Sequence, residues 1–430
     1  MIAIVPARYS STRLPGKMLL ELGGKPLVVR TMERVAEAKS VDRVIVATDD
    51  ARIFEAVTLA GGEAVMTSAD HASGSDRLAE VAKDLPEGSI IVNVQGDEPL
   101  ISAETIDRAV EAMIATDADI VTVGEPLTSL HGELLNFNVV KIAVADDGRA
   151  LYFSRSPMPF PRDASLRYGG DPNMALESEP ELFENFKKHT GLYVYRREYL
   201  LRFTSLPQTR LEKFESLEQL RALEDGAVIR IVDAAGPSIG VDTQEDFDRV
   251  RLQIEFPGIR FRLGAEDDIT ATAEAYLASV RGSYKGFLPD DYLDGLSIEK
   301  RSLVMSERRT ANADTYRLLI AEDKDSGVVG FIDYARLEPG NFGYDGHIFS
   351  FYVVPEFQGR GLGRLLFLEC LRSMRREGYN SVELDTFASN PFRPFYEKMG
   401  GTVIGDTPRH KNDGLDEPGV VFGWSDLSKI

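Results

Sequence analysis

The first seventeen residues constrain the fold most. Ile2-Ala-Ile-Val-Pro-Ala-Arg-Tyr-Ser-Ser-Thr-Arg-Leu-Pro-Gly-Lys17 begins as a short apolar run suited to a buried strand and ends in a loop. The loop combines small residues (Ala7, Ser10, Ser11, Thr12, Gly16) with three cations, Arg8, Arg13 and Lys17. Small residues let the backbone approach an anion, and the cations neutralise it. Such a loop after the first strand predicts a phosphate site at the edge of an α/β sheet. Its spacing is neither G-x-x-x-x-G-K-[ST] nor G-x-G-x-x-G.

The chain continues in the same alternation. Ile2–Val5, Val44–Ala47, Ile90–Val94 and Ile120–Val123 read as core strands, and Pro26–Ala38, Ala51–Leu59, Ser75–Lys83 and Ala103–Ile114 as helices. This pattern predicts a doubly wound, mostly parallel sheet with helices on both faces. Polar residues just after the strands (Arg8, Asp49, Gln95, Asp97) would line its carboxyl edge, where ligands bind. Residues 124–200 are irregular and carry Ser156-Pro-Met-Pro-Phe-Pro161; there we expect an antiparallel excursion and a homodimer surface. A chain of 430 residues exceeds one ordinary core. Helix Glu245–Glu255 ends at Phe256-Pro-Gly258, after which the pattern restarts with strand Ile259–Leu263, so the predicted domains are 1–256 and 259–430.

Bulk properties narrow the function. A net charge of −20 argues against a general binder of nucleic acid or anionic membrane. The lone cysteine, Cys370, sits among leucines and reads as a buried structural thiol, with no internal disulfide and no cysteine zinc site. No apolar run approaches the roughly 20 residues of a membrane span. The N-terminus reads as a strand without a signal-peptide layout, and the expectation is a cytoplasmic protein.

Four further segments accompany the loop: Asp70-His-Ala-Ser-Gly-Ser-Asp-Arg-Leu-Ala-Glu80, Val92-Asn-Val-Gln-Gly-Asp-Glu-Pro99, Tyr152-Phe-Ser-Arg-Ser156 and Gly240-Val-Asp-Thr243. Each alone has a plain reading, a helix cap or a strand-ending turn. In this order, and with His189-Thr-Gly-Leu-Tyr-Val-Tyr-Arg196 and Leu211–Arg221, they resemble the 3-deoxy-manno-octulosonate cytidylyltransferase (CMP-Kdo synthetase) family over about residues 1–253. Two positions depart from the family pattern: Met18 and Phe137 each stand where a proline is common. The resemblance implies a nucleotide-diphospho-sugar transferase-like fold and transfer of CMP from CTP to a 3-deoxy sugar acid, most simply 3-deoxy-manno-octulosonate, for lipopolysaccharide or capsule. It further implies that Arg8, Ser11, Arg13 and Lys17 hold the triphosphate and that Ser73, Gly74 and Arg77 hold the nucleotide. Asp97 and Asp242 would bind Mg²⁺, a hard cation suited to carboxylates. Gln95, Arg155, His189, Tyr193, Glu218 and Gln219 would line the sugar-acid pocket, with the planar fork of Arg155 on the carboxylate.

The second half carries a different loop. Ile348–Val354 reads as a strand, Gln358-Gly-Arg-Gly-Leu-Gly363 as a glycine-rich turn and Arg364–Glu377 as a helix. A strand at Leu384–Phe387 and Asn390-Pro-Phe-Arg-Pro-Phe-Tyr-Glu-Lys-Met-Gly-Gly401 follow. Together these resemble the GNAT family of acetyl-CoA-dependent N-acetyltransferases, an α+β fold, over about 259–427 and including Gly286–Leu293. The resemblance implies that Gln358, Gly359, Arg360, Gly361, Leu362, Gly363 and Arg364 hold the CoA pyrophosphate. A backbone N–H near Val353 or Val354 would polarise the acetyl carbonyl, Asn390 would contact the cofactor, Tyr396 would protonate the leaving thiolate and His347 would act as general base. The acceptor amine is not written in the sequence. A bifunctional enzyme is the main expectation. The rivals are activation of another acid sugar, such as 8-amino-octulosonate or a nonulosonate, and a non-catalytic sugar-nucleotide binder with a CoA-sensing module.

Overall fold

The computed structural model describes residues 1–337, 342–412 and 415–430. Contacts divide the chain into two units, 1–250 and 251–430. The division falls inside the helix Gln244–Glu255, a few residues before the predicted Phe256-Pro-Gly258 junction.

The first unit is built on a nine-stranded sheet: β1 (Ile2–Ala7), β2 (Arg43–Thr48), β3 (Glu63–Met66), β4 (Ile90–Asn93), β5 (Ile120–Pro126), β6 (Lys141–Val144), β7 (Ala150–Ser154), β8 (Lys187–Arg196) and β9 (Ile229–Asp233). The main path runs β9-β5-β8-β4-β1-β2-β3, with β6 paired to β8 and β7 paired to β6. Strand β1 explains the double winding. Ala3, Val5 and Ala7 enter one core with the helices Leu27–Ala36 and Ala103–Ala115, while Ile4 enters the other with Gly74–Ala82 and Arg197–Ser205. Alternate side chains of one strand therefore serve two buried faces.

The pairs β1–β2, β1–β4, β2–β3 and β5–β9 are parallel, as the alternation predicts. The antiparallel excursion expected in residues 124–200 is formed by β6, β7 and β8, and β8 carries it into the middle of the sheet, running antiparallel between β4 and β5. A long strand of mixed polar and aromatic residues gives no periodic sign that it belongs to the centre. Its placement brings His189 and Tyr193 to the sheet beside the predicted ligand edge.

The second unit holds a seven-stranded sheet: β10 (Ile259–Leu263), β11 (Arg317–Asp323), β12 (Gly327–Arg336), β13 (Gly346–Val353), β14 (Val382–Phe387), β15 (Thr402–Asn412) and β16 (Leu415–Trp424), ordered β10-β11-β12-β13-β14-β16-β15. Helix Leu362–Arg376 packs Leu365, Leu366, Cys370 and Met374 on one face; Ile269–Ser283 and Ile298–Ala311 cover the other with Tyr276, Val280 and Met305. Cys370 is fully buried, and burial pushes its thiol pKa up, as an inert core thiol requires. Among the described residues of this unit only β13 and β14 pair in parallel, over Gly346↔Val382 and His347↔Glu383. Beyond His347 the two strands part. Among the described residues no helix is long and apolar enough to cross a membrane.

Candidate active sites

In the first unit the cationic loop and both predicted metal carboxylates meet at one atom. Gly16, at φ +68°, turns the chain into the short helical turn Lys17–Leu19, a conformation open to glycine at little cost. Lys17 is thereby buried, and its Nζ donates to Asp97 Oδ2 (2.5 Å), Val241 O (2.8 Å) and Asp242 Oδ1 (3.0 Å). All three ammonium hydrogens are used. Burial alone would lower the Lys17 pKa, but the Asp97 and Asp242 carboxylates outweigh it and hold it above the usual value. Val241 N–H donates to Asp97 O (2.9 Å), which ties the 240–242 segment to the loop after β4. Arg13 Nη2 reaches Asp242 Oδ2 at 2.8 Å from the solvent side. Ser11 is half-buried in the same loop. Arg8 follows β1 and has a buried Nη2 without a hydrogen-bond partner, an orphan donor of the kind an anion satisfies.

The departures from the family pattern are accommodated. Met18 is buried, with its sulfur against the position a Cβ on Gly96 would take. Phe137 exposes its ring, and its carbonyl accepts from Arg155.

A second set gathers around the helix Gly74–Ala82. Ser73 caps it through a reciprocal pair with Asp76 (3.1 and 3.0 Å), so the capping reading of Ser-Gly-Ser holds as geometry. Gly74 packs closely on Pro6 and on Gln95, whose Oε1 would lie 3.6 Å from an added Cβ. Ser75 donates to Glu218 Oε1 at 2.5 Å, and burial raises the Glu218 pKa. Gln219 is buried at the start of the next helix. Tyr193 packs against His189 at 5.1 Å between ring centroids, and His189 Nε2 lies 2.9 Å from Thr122 Oγ1. Burial depresses the His189 pKa to about 4, so the ring is neutral near pH 7.

Two predicted ligand residues have other partners. Arg77 is fully buried; its Nη2 donates to Asp49 Oδ2 (2.7 Å) and its Nη1 to Thr67. It braces strand ends from within rather than opening onto the predicted ligand edge. Arg155 spends its fork on carbonyls: Nε on Glu215 O (2.7 Å), Nη1 on Phe137 O (2.9 Å), and Nη2 longer to Ser216 O (3.4 Å). The sequence reading also missed Glu98 beside Asp97. Burial first, then the charges of Asp97, Glu125 and Asp242, push its pKa up to about 7, against a bond from Ser238. Its place in Gly-Asp-Glu-Pro was visible; its burial was not.

In the second unit the glycine-rich turn stands at the start of Leu362–Arg376, with Gly359 at φ +71° and Gly361 at +99°. Gln358 Nε2 fastens the turn to Val353 O (2.6 Å) and Ser283 Oγ (2.9 Å). Leu362 is buried in the core, so only its backbone is available to a ligand. The Arg360 guanidinium lies over the Phe256 ring. Gly359, Gly361, Gly363 and Arg364 line a cavity of about 470 Å³ that continues along Val353, Asn390 and Tyr396. Of the two backbone donors considered, Val354 N–H is taken by Val329 O (2.9 Å). Strand N–H groups alternate in direction, which turns that of Val353 toward the gap between β13 and β14. Asn390 donates to Thr386 Oγ1 (2.7 Å) and accepts from Phe392 N (2.8 Å). Tyr396 is enclosed, and burial raises its pKa, so it stays a phenol and a proton donor.

Across the splay lies a second cavity of about 230 Å³, sharing Tyr284, Phe351, Tyr352, Asn390 and Tyr396 with the first. His347 lines it, with Nδ1 3.7 Å from Glu383 Oε1 and Nε2 3.6 Å from Asp385 Oδ1. The imidazole thus sits between two carboxylates, which sequence spacing alone did not reveal because they come from a different strand.

Comparison with known proteins agrees with both halves. A cytidylyltransferase family profile matches residues 2–231, and an acetyltransferase (GNAT) family profile matches 279–401. The 3-deoxy-manno-octulosonate cytidylyltransferase of Geobacter metallireducens is 51% identical over 250 residues, spanning 58% of this chain and 95% of that protein. That of Trichlorobacter lovleyi is 46% identical over 260 residues, 59% of this chain and 98% of the relative. A solved structure of CMP:2-keto-3-deoxy-manno-octonic acid synthetase complexed with CTP is 39% identical, with a TM-score of 0.51 over 58% of this chain and 96% of that one. The chain therefore belongs to the cytidylyltransferase family and carries, in its second half, an acetyltransferase domain of the GNAT family.

Proposed function

We propose that the chain is a bifunctional enzyme whose first unit transfers CMP from CTP to a 3-deoxy sugar acid, most simply 3-deoxy-manno-octulosonate, with Mg²⁺, and whose second unit acetylates an amine from acetyl-CoA. The observation that carries the first half is the meeting of Asp97, Asp242 and Lys17 at one point under a loop with an orphan guanidinium donor. The two carboxylates fit a hard divalent cation. Among the described residues no group of three or more metal-ligating side chains exists, and Mg²⁺ is commonly held by one or two carboxylates with substrate phosphates and water. Bound there, it would neutralise phosphate charge and lower the pKa of the attacking hydroxyl.

The protein's own part is positioning and charge. Arg8, Ser11 and Arg13 would hold the β- and γ-phosphates. Lys17 would turn from its carboxylates toward the α-phosphate and stabilise charge as pyrophosphate leaves. Gly74 would face the nucleotide through its backbone N–H, with Ser73, its own N–H held by Asp76, fixing that helix start and Arg77 bracing both from behind. Gln95, neutral His189, Tyr193, Glu218 and Gln219 would bind sugar hydroxyls. The two free Arg155 hydrogens would reach the carboxylate. Exposed Phe137, Phe160, Leu166 and Met174 on the irregular segment support a homodimer face there.

In the second unit, Gly359–Arg364 would hold the CoA pyrophosphate at a helix start. Val353 N–H would polarise the thioester carbonyl. His347 would take a proton from the bound ammonium, the freed amine would attack the thioester carbonyl, and as the C–S bond breaks Tyr396 would protonate the departing sulfur and be reprotonated by the proton the new amide nitrogen sheds. The test is a screen of sugar acids with CTP and Mg²⁺ under pyrophosphate detection, with Asp97→Asn and Asp242→Asn as controls. Each control should lose at least about 100-fold in rate. Full activity in both controls at limiting Mg²⁺ would reject the metal assignment.

A further inference from the structure

The acetyl acceptor leaves its mark on the smaller cavity of the second unit. That cavity opens onto the cofactor cavity through Asn390 and Tyr396, so a molecule within it faces the reacting carbonyl. Its walls are polar and oppositely charged. On one side are His347 and Asp385, with Glu383 behind the imidazole. The His347 Nδ1 is buried and makes no hydrogen bond. On the other side is Arg308, whose Nη1 reaches Ser350 Oγ at 2.9 Å and the buried Asp333 at 3.2 Å. Arg301 donates to the same Ser350 Oγ at 2.5 Å, so two guanidinium groups converge where Asp333 is the carboxylate facing Arg308.

The two walls are held apart by one residue. The register of β13 against β12 slips between Ser350 and Ile348, which leaves Phe349 as a bulge. The Phe349 ring packs on His347 (4.9 Å between centroids) and lies 5.0 Å from the Arg308 guanidinium. The bulge therefore spaces an acidic, proton-accepting wall from a cationic one within a single small cavity.

We infer that the acceptor is a small zwitterion, an aminocarboxylate such as an amino-sugar acid, with its ammonium at Asp385 and His347 and its carboxylate at Arg308 and Ser350; this rests on the acetyltransferase reading of the second unit. A peptide or polyamine would leave the Arg308 wall unmatched. A guanidinium pairs bidentately with a carboxylate, and a site built for that group discriminates against molecules that lack it.

The experiment uses the full chain with acetyl-CoA and two matched pairs, D-glucosaminic acid against D-glucosamine and lysine against cadaverine, with free CoA and acetylated product both measured. Within at least one pair the carboxylated member should show a kcat/KM higher by about tenfold or more, a margin of roughly 1.4 kcal/mol. Arg308→Gln should bring that ratio toward one, Arg308→Lys should keep part of it, and Asp385→Asn should raise KM for every amine. Acetyl-CoA binding, followed by calorimetry, should persist in all three variants. Equal or better acetylation of the carboxylate-free partner in both pairs would overturn the inference and leave the acetyltransferase reading standing. So would cofactor binding with no acetylation of any member. Absence of acetyl-CoA binding to the wild-type chain would overturn that reading and the inference with it.

Discussion

Replacing Lys17 by methionine removes one ammonium while keeping an unbranched side chain of similar length. The structure gives that ammonium three acceptors, two of them carboxylates at 2.5 and 3.0 Å. At about 3 Å and an effective dielectric of about 20, each ionic contact is worth roughly 5 kcal/mol before desolvation. Breaking a fully buried pair costs about 3–5 kcal/mol, because a charge is left uncompensated. Here Asp97 is 21% and Asp242 49% exposed, so water takes up part of the loss. We expect a destabilisation of about 2–3 kcal/mol. At about 2–4 °C per kcal/mol for a unit of this size, the first-unit melting transition should fall by about 5–10 °C. Calorimetry in chelator resolves it from the second unit. Added Mg²⁺ should raise the variant's midpoint more than the wild type's, since the two carboxylates are no longer neutralised by the lysine. Maximal cytidylyl transfer should fall at least about 100-fold even when the protein is folded. An unchanged midpoint would refute the charge argument. A lowered midpoint with an unchanged maximal rate would make Lys17 a structural residue and refute its catalytic assignment.

Three further outcomes follow from named residues. His189 has a pKa depressed to about 4 from 6.5. Its contribution is therefore whole above about pH 6.5 and is lost as pH falls through about 4, because the unfolded state binds the proton first. With part of its surface open the loss is about 1.5–3 kcal/mol, and His189→Gln should flatten the acid limb of the melting profile; an unchanged limb contradicts this. Gly361→Leu places a side chain at φ +99° in the loop that should meet the CoA phosphates. It should abolish acetyl-CoA binding by calorimetry while cytidylyl transfer continues, and retained binding refutes the loop assignment. Phe256 and Leu252 belong to the second core. A fragment starting at residue 243 should therefore be more stable than one starting at 259 by about 3–5 kcal/mol, the cost of losing a buried aromatic; equal denaturation midpoints would refute that placement.

Much of this arrangement was legible in the residues, and the exceptions share a cause. Strands Ile2–Ala7, Arg43–Thr48 and Ile120–Pro126 and the helix Ala51–Leu59 follow from local pattern, because their apolar residues recur at the period of the element. The central place of Lys187–Arg196 does not, since pairing partners are far away in sequence and the strand runs against its neighbours. The same limit applies to side chains. Loop chemistry pointed to Arg8, Lys17 and Asp97, yet the fork of Arg155 is turned onto backbone carbonyls and Arg77 is sealed behind Asp49. Residue type tells what a group can bind; only packing tells which partner it has. Arg308 and Asp385 fall in this class as well. They come from a helix and a strand of unremarkable sequence, and only the cavity brings them together.

On the proposed function the first unit makes a cytidine-monophosphate ester of a 3-deoxy sugar acid. The most direct measurement is mass spectrometry of the full chain's products from CTP, 3-deoxy-manno-octulosonate and Mg²⁺, with pyrophosphate counted alongside. The CMP–sugar adduct should form in equal amount with pyrophosphate, and at least about 100-fold more slowly with Lys17→Met. CTP binding with neither adduct nor pyrophosphate from this or any other 3-deoxy sugar acid would contradict the proposed function.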